Sequence, residues 1–397
     1  MAKIMAVNAG SSSLKYQLLE MPAAEVLCSG VIERIGLKDS IFSIEIDGEK
    51  HKDVLDIENH EKAVNLVLDA LTKYDVVKSL DEIDGVGHRT VHGGEKFAAS
   101  VILDEEVVKT MEDLSDLAPL HNPANLIGYY AFKKALPKVG HVAVFDTAFH
   151  QTMAADTYIY PIPYEYYQNY SVRKYGFHGT SHLYVSRRCL DLMGNPEHSK
   201  IITCHLGNGA SLAAIEDGKS INTSMGLTPL AGVMMGTRSG DIDPAIITFL
   251  MDKTGKTAYE ITDILNKESG MLGVSGISSD ARDIEEGYNA GNERAKLTVD
   301  IYVNRIMDTI GSYFVKLGGL DALVFTAGLG ENSISFREMI CNKLTAALGV
   351  KIDPERNNVR GKETLISADD SKVKVYLIPT NEELIIAQDT MRLLKLK

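Results

Sequence analysis

Short β-rich runs alternate with helical stretches along this chain, and that alternation predicts an α/β fold. Residues 4–7 and 14–19 are two such runs, and they flank the turn-rich segment Asn8-Ala9-Gly10-Ser11-Ser12-Ser13. Side chains of a strand alternate between its two faces, so the apolar positions of the second run share one face and Lys15 lies on the other. The N-terminal pattern therefore predicts two strands joined by a turn.

Apolar residues that recur every three or four positions predict two amphipathic helices. The first covers residues 63–74, and the second runs from about residue 295 to residue 317, where Gly318-Gly319 forms a stop signal. A last helix is predicted from about residue 381 onward. We expect this last helix to cross back to the first half of the chain.

The strand, glycine-rich turn and strand of the N-terminus have a counterpart at residues 201–212, around Gly207-Asn208-Gly209. The two turns are separated by close to half of the 397 residues. This spacing favours a duplicated domain, with a chance recurrence of one hairpin pattern as the alternative. We predict an N-terminal domain over 1–150, completed by the helix 382–397, and a C-terminal domain over 151–381. The Pro- and Tyr-rich stretch 158–170 is the predicted boundary between them.

Composition and charge limit the class of function. Lys and Arg number 41 against 54 Asp and Glu, which gives a net charge of −13, and 45% of residues are hydrophobic. These values are typical of a globular enzyme and argue against a general nucleic-acid binder, since no dense basic stripe is present to replace phosphate counterions. An anionic ligand must therefore be bound by local cations.

The cysteines and the lengths of the apolar runs indicate where in the cell the protein is located. The four cysteines are scattered without a C-x-x-C pair, so a structural zinc site and a disulfide framework are both disfavoured. The N-terminus enters a strand-like run without an apolar signal core, and no apolar run approaches the ~20 residues that span a bilayer. We expect a cytoplasmic protein with no membrane partner.

The two glycine-rich turns are candidate phosphate-binding sites. Small residues allow backbone N–H groups to converge on an anion, and Lys15 lies beside the first turn. The alternative is that both are plain hairpin turns, since Asn208-Gly209 is the dipeptide typical of a type I′ turn. The residue pattern leaves both interpretations open.

Two near matches to known phosphate-binding motifs are incomplete. Gly218-Lys219-Ser220 ends like a P-loop, but Ala213 stands where the leading glycine belongs, and Asp217-Gly218 predicts a hairpin turn instead. Gly328-Leu329-Gly330 follows a buried strand at 320–326 and precedes a helix that includes 336–344, but the third glycine of the dinucleotide motif is missing. We therefore expect a strand-to-helix loop against which a nucleotide lies.

Charged and histidine side chains also lie within apolar or glycine-rich segments, where an unpaired charge is costly. Structural pairing is an alternative to a functional role for Arg89 and Asp146, and a core or surface position is the alternative for His178 and His182. Arg238 has glycines on both sides, which predicts a mobile, open loop. For Glu382 the alternative is a helix capping box, Thr380-Asn381-Glu382-Glu383, in which first-turn carboxylates favour the helix dipole.

These motifs, in order along essentially the whole chain, resemble those of the acetate kinase family, in a superfamily with sugar kinases, heat-shock chaperone ATPases and actin. The matching segments are Asn8-Ala9-Gly10-Ser11-Ser12-Ser13-Leu14-Lys15, His88-Arg89-Thr90-Val91-His92-Gly93-Gly94, Phe145-Asp146-Thr147-Ala148-Phe149-His150, Tyr175-Gly176-Phe177-His178-Gly179-Thr180-Ser181-His182, His205-Leu206-Gly207-Asn208-Gly209, Gly236-Thr237-Arg238-Ser239-Gly240-Asp241, Asp280-Ala281-Arg282, Gly328-Leu329-Gly330-Glu331-Asn332 and Asn381-Glu382-Glu383. The resemblance implies an α/β fold of two ribonuclease-H-like domains, in a duplicated actin-like ATPase architecture with a nucleotide cleft between them.

The resemblance also implies reversible, direct in-line transfer of the ATP γ-phosphoryl group to acetate, giving acetyl phosphate and ADP. A carboxylate is already ionised at pH 7, so positioning and charge neutralisation are expected to dominate. Arg89 would bind the carboxylate and phosphoryl oxygens, and Arg238 and His178 the equatorial phosphoryl oxygens. Asp146 would act beside them as a proton acceptor or by orienting an arginine, and the missing acetate proton favours orientation.

Ligand sites are implied in the same way. ATP would be held by Lys15, His205, Leu206, Gly207, Asn208, Gly209, Asp280, Ala281, Arg282, Gly328, Leu329, Gly330, Glu331 and Asn332. The metal, Mg²⁺ with Mn²⁺ as the alternative, would lie near Asn8 and Glu382. The acetate methyl would occupy an apolar pocket, for which ordinary core positions are the alternative, made of Val91, Leu120, Phe177 and Pro229.

Two rival functions remain at this point. Another short-chain carboxylate kinase, acting on propionate or butyrate, differs only in its pocket. An ATP-driven conformational protein would use the same nucleotide site but needs a further peptide-binding or polymerising region, and few residues follow Glu382. The family resemblance also implies a homodimer.

Overall fold

The computed structural model describes residues 1–118 and 121–397. Contacts within the chain divide it into two compact units, Met1–Phe149 with Asn381–Lys397, and His150–Thr380. The stretch 158–170, where composition predicted a boundary, lies inside the second unit. No helix in the described parts of the chain is long and apolar enough to cross a bilayer.

In the described residues of the first unit, strands form one sheet in the order β5-β4-β3-β2-β1-β6-β8-β7. The strands are β1 (Ala2–Ala9), β2 (Ser13–Met21), β3 (Glu25–Glu33), β4 (Ser40–Ile46), β5 (Glu49–Leu55), β6 (Ile83–Thr90), β7 (Val101–Ile102) and β8 (Gly140–Phe145). The helices are α1 (His60–Lys73), α2 (Glu105–Asp113), α3 (Asn122–Ala135) and the C-terminal α15 (Glu382–Leu394).

The second unit contains a sheet in the order β11-β10-β9-β12-β14-β13. Its strands are β9 (Lys200–Leu206), β10 (Ala210–Glu216), β11 (Lys219–Thr223), β12 (Ala322–Thr326), β13 (Thr364–Leu365) and β14 (Lys374–Leu377). Its helices are α4 (Ala155–Tyr158), α5 (Glu165–Tyr170), α6 (Gly179–Leu192), α7 (Ala245–Thr254), α8 (Ala258–Lys267), α9 (Gly270–Ser275), α10 (Ala281–Asn289), α11 (Glu293–Leu317), α12 (Ala327–Asn332), α13 (Ile334–Leu348) and α14 (Pro354–Asn357).

The two sheets share one five-stranded core. The order β3-β2-β1-β6-β8 in the first unit matches β11-β10-β9-β12-β14 in the second. In both cores the first three strands are antiparallel neighbours, and the last two run parallel to the central strand. The predicted α/β class and its duplication are therefore confirmed, and the echoing turns occupy the same place in each core.

The predicted local elements are confirmed near their expected bounds. Asn59 caps α1 by accepting a hydrogen bond from the Lys62 backbone N–H, and Gly318 ends α11 in a left-handed conformation with φ +65°. Asp217 and Gly218 both have positive φ between β10 and β11, as the predicted hairpin turn requires. Propensity and turn chemistry agree with the fold at these positions.

Glycines on the sheet allow α15 to pack closely against the first unit. A Cβ on Gly87 of β6 would lie 2.4 Å from Cγ2 of Ile386, and one on Gly140 of β8 would lie 2.5 Å from Cδ2 of Leu394. Real side chains cannot approach so closely, so a side chain at Gly87 would displace α15 and one at Gly140 would force Leu394 to move. Strand β6, which carries Arg89, therefore also packs against helix α15, which begins with Glu382.

Candidate active site

The first glycine-rich turn closes the β1–β2 hairpin. Asn8 pairs with Lys15 across the two strands, and the Gly10 backbone N–H donates to the Ser13 carbonyl at 2.8 Å. Lys15 is exposed on the face opposite the buried Tyr16, as its alternation predicted. The hairpin therefore presents an amide and an ammonium group side by side.

Arg89, near the end of β6, joins Asp146 and Asn8 in one cluster. Its Nε donates to Asp146 Oδ1 at 3.0 Å and its Nη2 to Asp146 Oδ2 at 2.5 Å, while its Nη1 donates to Asn8 Oδ1 at 3.2 Å. Asp146 is only 1% exposed, so both of its oxygens are held by the guanidinium away from water. This fork-to-fork pairing fixes the orientation of Arg89.

Burial and charge act in opposite directions on this pair. Burial raises the pKa of Asp146, and the charge and hydrogen bonds of Arg89 oppose that rise. Burial also disfavours the charged guanidinium, but Asp146 and Glu382 outweigh it and raise the pKa of Arg89. Because each charge has a bonded partner of opposite sign, the pair is ionised.

Glu382 is the first residue of α15 and is half-buried. Asn381 caps this helix, since its side-chain oxygen accepts from the Leu384 backbone N–H at 3.0 Å. The capping box predicted with Thr380 is therefore wrong, and the Thr380 hydroxyl lies 2.8 Å from that of Ser181 instead. Burial raises the pKa of Glu382 to about 7, Arg89 opposes the rise, and Asp146 and Glu383 add to it.

The second glycine-rich turn closes the β9–β10 hairpin. Leu206 pairs with Ala210, and the Gly207 N–H donates to the Gly209 carbonyl at 3.2 Å. Neither Asn208 nor Gly209 has a positive φ, so the type I′ alternative is wrong. Another segment packs tightly on this loop, because a Cβ on Gly236 would lie 1.8 Å from Asn208 Oδ1.

Arg238 lies on a well-anchored segment, and the predicted open, mobile loop is wrong. The Gly236 N–H donates to the Asn208 carbonyl at 3.0 Å, and the Ser239 N–H donates to the Leu265 carbonyl at 3.0 Å. The Arg238 side chain is partly buried and donates from Nη1 to the Pro229 carbonyl at 3.0 Å. Burial lowers its pKa, but a guanidinium is still protonated at neutral pH.

His178 precedes α6 with a left-handed φ of +56°, a strained conformation that clusters at functional sites. Its ring stacks on His205 with centroids 4.0 Å apart. A Cβ placed on Gly209 would lie 3.4 Å from both Nη atoms of Arg238 and 3.6 Å from Cε1 of His178. The imidazole and the guanidinium therefore face the same small space beside the second turn.

Three predicted nucleotide segments, far apart in sequence, line one open cavity of about 490 Å³ in the second unit. The predicted residues that line it are Gly207, Asn208, Asp280, Ala281, Arg282, Gly328, Leu329 and Asn332. Further lining residues were not among the predicted ones, namely Gly236, Met271, Ser279, Glu285, Ser333 and Arg360. The predicted and the unpredicted lining residues come from segments that are distant in sequence. Folding alone brings them together, so no local sequence pattern connects them.

Two other residues predicted to bind the nucleotide, Leu206 and Glu331, do not line this cavity. Leu206 is fully buried. The Glu331 carboxylate accepts from the backbone N–H groups of Ala327 and Thr380 at 2.8 and 3.1 Å. Residues 327–332 form the short helix α12, so the predicted strand-to-helix loop is wrong, and Ala327 turns the chain with φ +65°.

Arg337 on α13 is a structural residue that the sequence did not reveal. It is fully buried, and its guanidinium donates to the carbonyls of Gly330, Glu331, Asn357 and Val359 and to Asn357 Oδ1, at 2.7 to 3.0 Å. Burial lowers its pKa to about 10. This arginine ties α12 to the segment before Arg360, and both carry cavity-lining residues.

The predicted apolar pocket is divided between the two units. Val91 follows β6 and is 5% exposed, and its backbone N–H donates to Asn125 Oδ1 at 3.1 Å. Phe177 is buried and Pro229 is half-buried in the second unit. Leu120 lies outside the described residues. A shared pocket formed by these four side chains stays a prediction.

Comparisons with known proteins agree over the full length. The profile of the acetokinase family matches residues 3–388. An acetate kinase of Geobacillus kaustophilus is 59% identical over 397 residues, which cover 100% of both chains. The crystal structure of Porphyromonas gingivalis acetate kinase has a TM-score of 0.95 at 49% identity, covering 99% of this chain and 100% of that one.

A propionate kinase from Francisella tularensis has the same fold, with a TM-score of 0.94 at 41% identity, covering 99% of this chain and 100% of that one. These similarities extend through every segment of the candidate site rather than one domain. On the match of the family profile and the identity over its whole length, this chain belongs to the acetokinase family.

Proposed function

We propose that this chain catalyses reversible, direct in-line transfer of the ATP γ-phosphoryl group to acetate, giving acetyl phosphate and ADP. The observation that carries the proposal is the 59% identity over the full length with an acetate kinase. The curated relatives named as acetate kinases are 59% and 57% identical over the whole chain, whereas the propionate kinase is 41% identical. This ranking favours acetate over the propionate or butyrate alternative.

Arg89 is proposed to bind the acceptor carboxylate and the transferring phosphoryl group. Acetate carries no proton at neutral pH, so no general base is needed to activate it. Both Asp146 oxygens already accept hydrogen bonds from Arg89. We therefore assign Asp146 to orienting Arg89, because a carboxylate that is committed to a guanidinium is a poor proton acceptor.

Arg238 and His178 are proposed to bind the equatorial oxygens of the phosphoryl group in the transition state. A planar guanidinium matches the geometry of such oxygens, and a fixed donor stabilises charge without reorganising during the reaction. Arg238 is held by the Pro229 carbonyl, and the His178 ring is held by the stack on His205. Both groups are thus pre-positioned in the described residues of the second unit.

ATP is proposed to occupy the cavity of the second unit. Two glycines of its wall, Gly207 and Gly328, let a ligand approach the backbone closely. Asp280 binds the exposed Arg282 side chain through hydrogen bonds of 2.5 to 3.2 Å, which place a flat guanidinium at the rim. Asn208 would approach the phosphates, and the segments around Asp280 and Gly328 would flank the adenosine.

Mg²⁺, with Mn²⁺ as the alternative, is proposed at Glu382 and Asn8. No cluster of three or more His, Cys, Asp or Glu suited to a metal occurs among the residues that the structure describes. Mg²⁺ commonly uses one or two carboxylates together with substrate phosphates, and Glu382 fits this pattern because it lies near two other carboxylates, Asp146 and Glu383. When bound, the ion would neutralise charge on the phosphoryl oxygens.

We also propose a homodimer. Helix α7 carries Ile246, Ile247, Phe249 and Leu250, and none of its residues is buried. Phe249 is 59% exposed. An apolar helix surface of this kind marks an interaction site, and a second copy of the chain is the proposed partner. Sedimentation of the chain and of Phe249→Glu would test this, since an unchanged monomer mass in both would contradict it.

Cytoplasmic location belongs to the same proposal. The cysteines Cys28, Cys189, Cys204 and Cys341 are buried free thiols. Burial raises the pKa of the thiols of Cys28 and Cys189 to about 11 and about 12. Unreactive thiols of this kind are compatible with a reducing compartment.

The decisive experiment traps the acyl phosphate with hydroxylamine during incubation with ATP, Mg²⁺ and acetate, propionate or butyrate in turn. We expect the acetyl hydroxamate to form fastest. An Arg238→Ala variant is the matched control for trapping that does not depend on the site. ATP hydrolysis without any hydroxamate would contradict the proposal and favour an ATP-driven conformational protein, and faster trapping with propionate would favour the alternative kinase.

A further inference from the structure

A continuous chain of hydrogen bonds leads from the core of the second unit to His178. The His178 Nδ1 lies 2.9 Å from Ser211 Oγ, and that oxygen lies 2.7 Å from His182 Nε2. The His182 Nδ1 lies in turn 2.7 Å from Thr203 Oγ1. Ser211, His182 and Thr203 are all fully buried. The sequence left a core position open for His182 and gave no signal for Ser211 or Thr203.

The number of hydrogens on the Ser211 hydroxyl and the two imidazole rings limits which group donates in each hydrogen bond. The Ser211 hydroxyl is buried, has one hydrogen and bonds two imidazole rings. If it accepted from both rings, its own hydrogen would be buried without an acceptor, so it donates to one ring and accepts from the other. In one arrangement His178 Nδ1–H donates to Ser211, which donates to His182. In the other, His182 Nε2–H donates to Ser211, which donates to His178 Nδ1.

Thr203 decides between the two arrangements. In the described part of the chain, His182 is the only hydrogen-bond partner of the Thr203 hydroxyl. If His182 Nδ1 carried the hydrogen, the hydroxyl hydrogen of Thr203 would be buried without an acceptor, and such unsatisfied donors are costly and rare. Thr203 therefore donates to His182 Nδ1.

The remaining hydrogens follow from this first one. Burial lowers the pKa of His182 well below its ordinary value, so the ring is neutral and its single hydrogen is on Nε2. His182 then donates to Ser211 Oγ, and the Ser211 hydrogen points to His178 Nδ1. A neutral His178 whose Nδ1 accepts a hydrogen bond carries its own hydrogen on Nε2.

We infer that Ser211 is a positioning residue: the chain from Thr203 through His182 to Ser211 holds His178 in the tautomer with hydrogen on Nε2. The Cε1 atom next to this nitrogen faces the same space as the Arg238 guanidinium beside Gly209. The opposite tautomer would present a lone pair on Nε2 to phosphoryl oxygens and repel them. This inference rests on the proposed function, in which His178 donates to those oxygens.

The tautomer can be measured without any assay of activity. The full-length protein is labelled with ¹⁵N-histidine, and the nitrogen and ring-proton signals of His178 and His182 are assigned from the spectra of His178→Gln and His182→Gln. We expect both rings of the unsubstituted protein to carry hydrogen on Nε2 at neutral pH. A signal pattern of the Nδ1–H tautomer for His178 would overturn the inference, whatever the enzyme does with acetate.

Kinetics test whether the tautomer matters for transfer. Removal of the hydroxyl in Ser211→Ala should lower kcat by roughly tenfold, less than the 10²–10³ typical of losing a direct donor, while the KM for ATP changes less than about twofold. The control is Ser186→Ala, because Ser186 is an equally buried hydroxyl that donates only to the Leu183 carbonyl, at 3.1 Å. This control should keep the kcat of the unsubstituted protein.

The two experiments separate the possible failures. An unchanged kcat in Ser211→Ala, or an equal loss in Ser186→Ala, would overturn the positioning role. If the unsubstituted protein forms no acetyl phosphate, the proposed function fails, and the nitrogen signals still decide the tautomer. If Ser211→Ala does not fold, the measurement on the unsubstituted protein decides the inference.

Discussion

The two glycine-rich hairpin turns occupy equivalent places in two copies of one sheet core, yet their surroundings differ in charge. Beside the first turn lie Arg89 and the carboxylates of Asp146 and Glu382. Beside the second lie Arg238 and the His178 ring, with hydroxyl groups behind them. Two carboxylates and two cations, Arg89 and Lys15, therefore lie together at the first turn, whereas the charged group beside the second turn is the Arg238 guanidinium.

This difference shows what duplication preserved and what it left free. The strand order and the hairpin were preserved, because a sheet core tolerates few arrangements. The side chains at the ends of the strands differ between the two copies, since they pair with one another rather than pack in the shared sheet core. Under the proposed function, the first turn would bind the metal and the acceptor carboxylate, and the second would bind the phosphoryl group.

The largest effect is expected from Arg238→Ala at the second turn. Arg238 is bonded to a carbonyl rather than to a buried carboxylate, so its removal leaves no charge unpaired. We predict a fall in kcat within the ~10³–10⁵ range typical of arginine fingers, with little change in the KM for ATP. Steady-state kinetics measure this effect, and Arg392→Ala on the surface of α15 is the control. A loss in kcat below about tenfold would show that Arg238 does not bind the transition state.

Arg89→Ala should behave differently, because the first turn contains a buried ion pair. The variant leaves Asp146, which is 1% exposed, without its partner. Breaking such a pair costs about 3–5 kcal/mol of unfolding free energy, so activity and stability should fall together. Urea denaturation measures the loss, and Arg89→Ala with Asp146→Ala should recover part of it. Equal stabilities for Arg89→Ala and Arg238→Ala would erase the contrast between the two turns.

Glu382→Gln tests whether the carboxylate of Glu382, beside the first turn, binds the metal. The substitution keeps the size of the side chain and removes its charge, and Asn381 still caps the helix. We predict a folded protein that needs roughly tenfold more Mg²⁺ for half-maximal rate, the equivalent of about 1.4 kcal/mol. Glu105→Gln, in the first turn of α2, is the matched control, because Glu105 is a first-turn carboxylate outside the proposed metal cluster. Identical Mg²⁺ titrations for Glu382→Gln and the unsubstituted protein would leave Glu382 with only a helix-dipole role.

Buried histidines make the first unit sensitive to acid. His88 Nε2 lies 3.0 Å from His141 Nδ1, and burial lowers the pKa of His141 to about 4. An unfolded histidine titrates near 6.5, so stability is lost as the pH falls from about 6.5 toward 4. His141→Gln should reduce the stability difference between pH 7.5 and 5.5 by about 1.4 kcal/mol, measured by urea denaturation. An unchanged pH dependence would contradict this prediction.

The smallest effect is expected from Val91→Ala. Val91 directly follows the strand that carries Arg89. If its side chain closes the methyl pocket, a buried substrate methylene could gain up to ~0.8 kcal/mol, or roughly fourfold in kcat/KM. The ratio of propionate to acetate turnover should rise several-fold, with the KM for ATP nearly constant. An unchanged ratio together with lower thermal stability would show that Val91 is an ordinary core residue.

Local sequence patterns determined most of the elements. The strands around the first turn, the helices α1 and α11, and the Asp217-Gly218 hairpin all depend on periodicity and turn chemistry over a few residues. The repeated hairpin also indicated the duplication. These features are predictable because backbone geometry couples only near neighbours along the chain.

The chemistry of the site was decided by tertiary structure. Gly236 packs on Asn208, and Arg337 ties α12 to residues 357 and 359, through contacts between segments that are distant in sequence. The pKa of Glu382 depends on burial and on Arg89, far away along the chain. Burial and electrostatic energy depend on distance in space, and residue spacing along the chain does not report that distance.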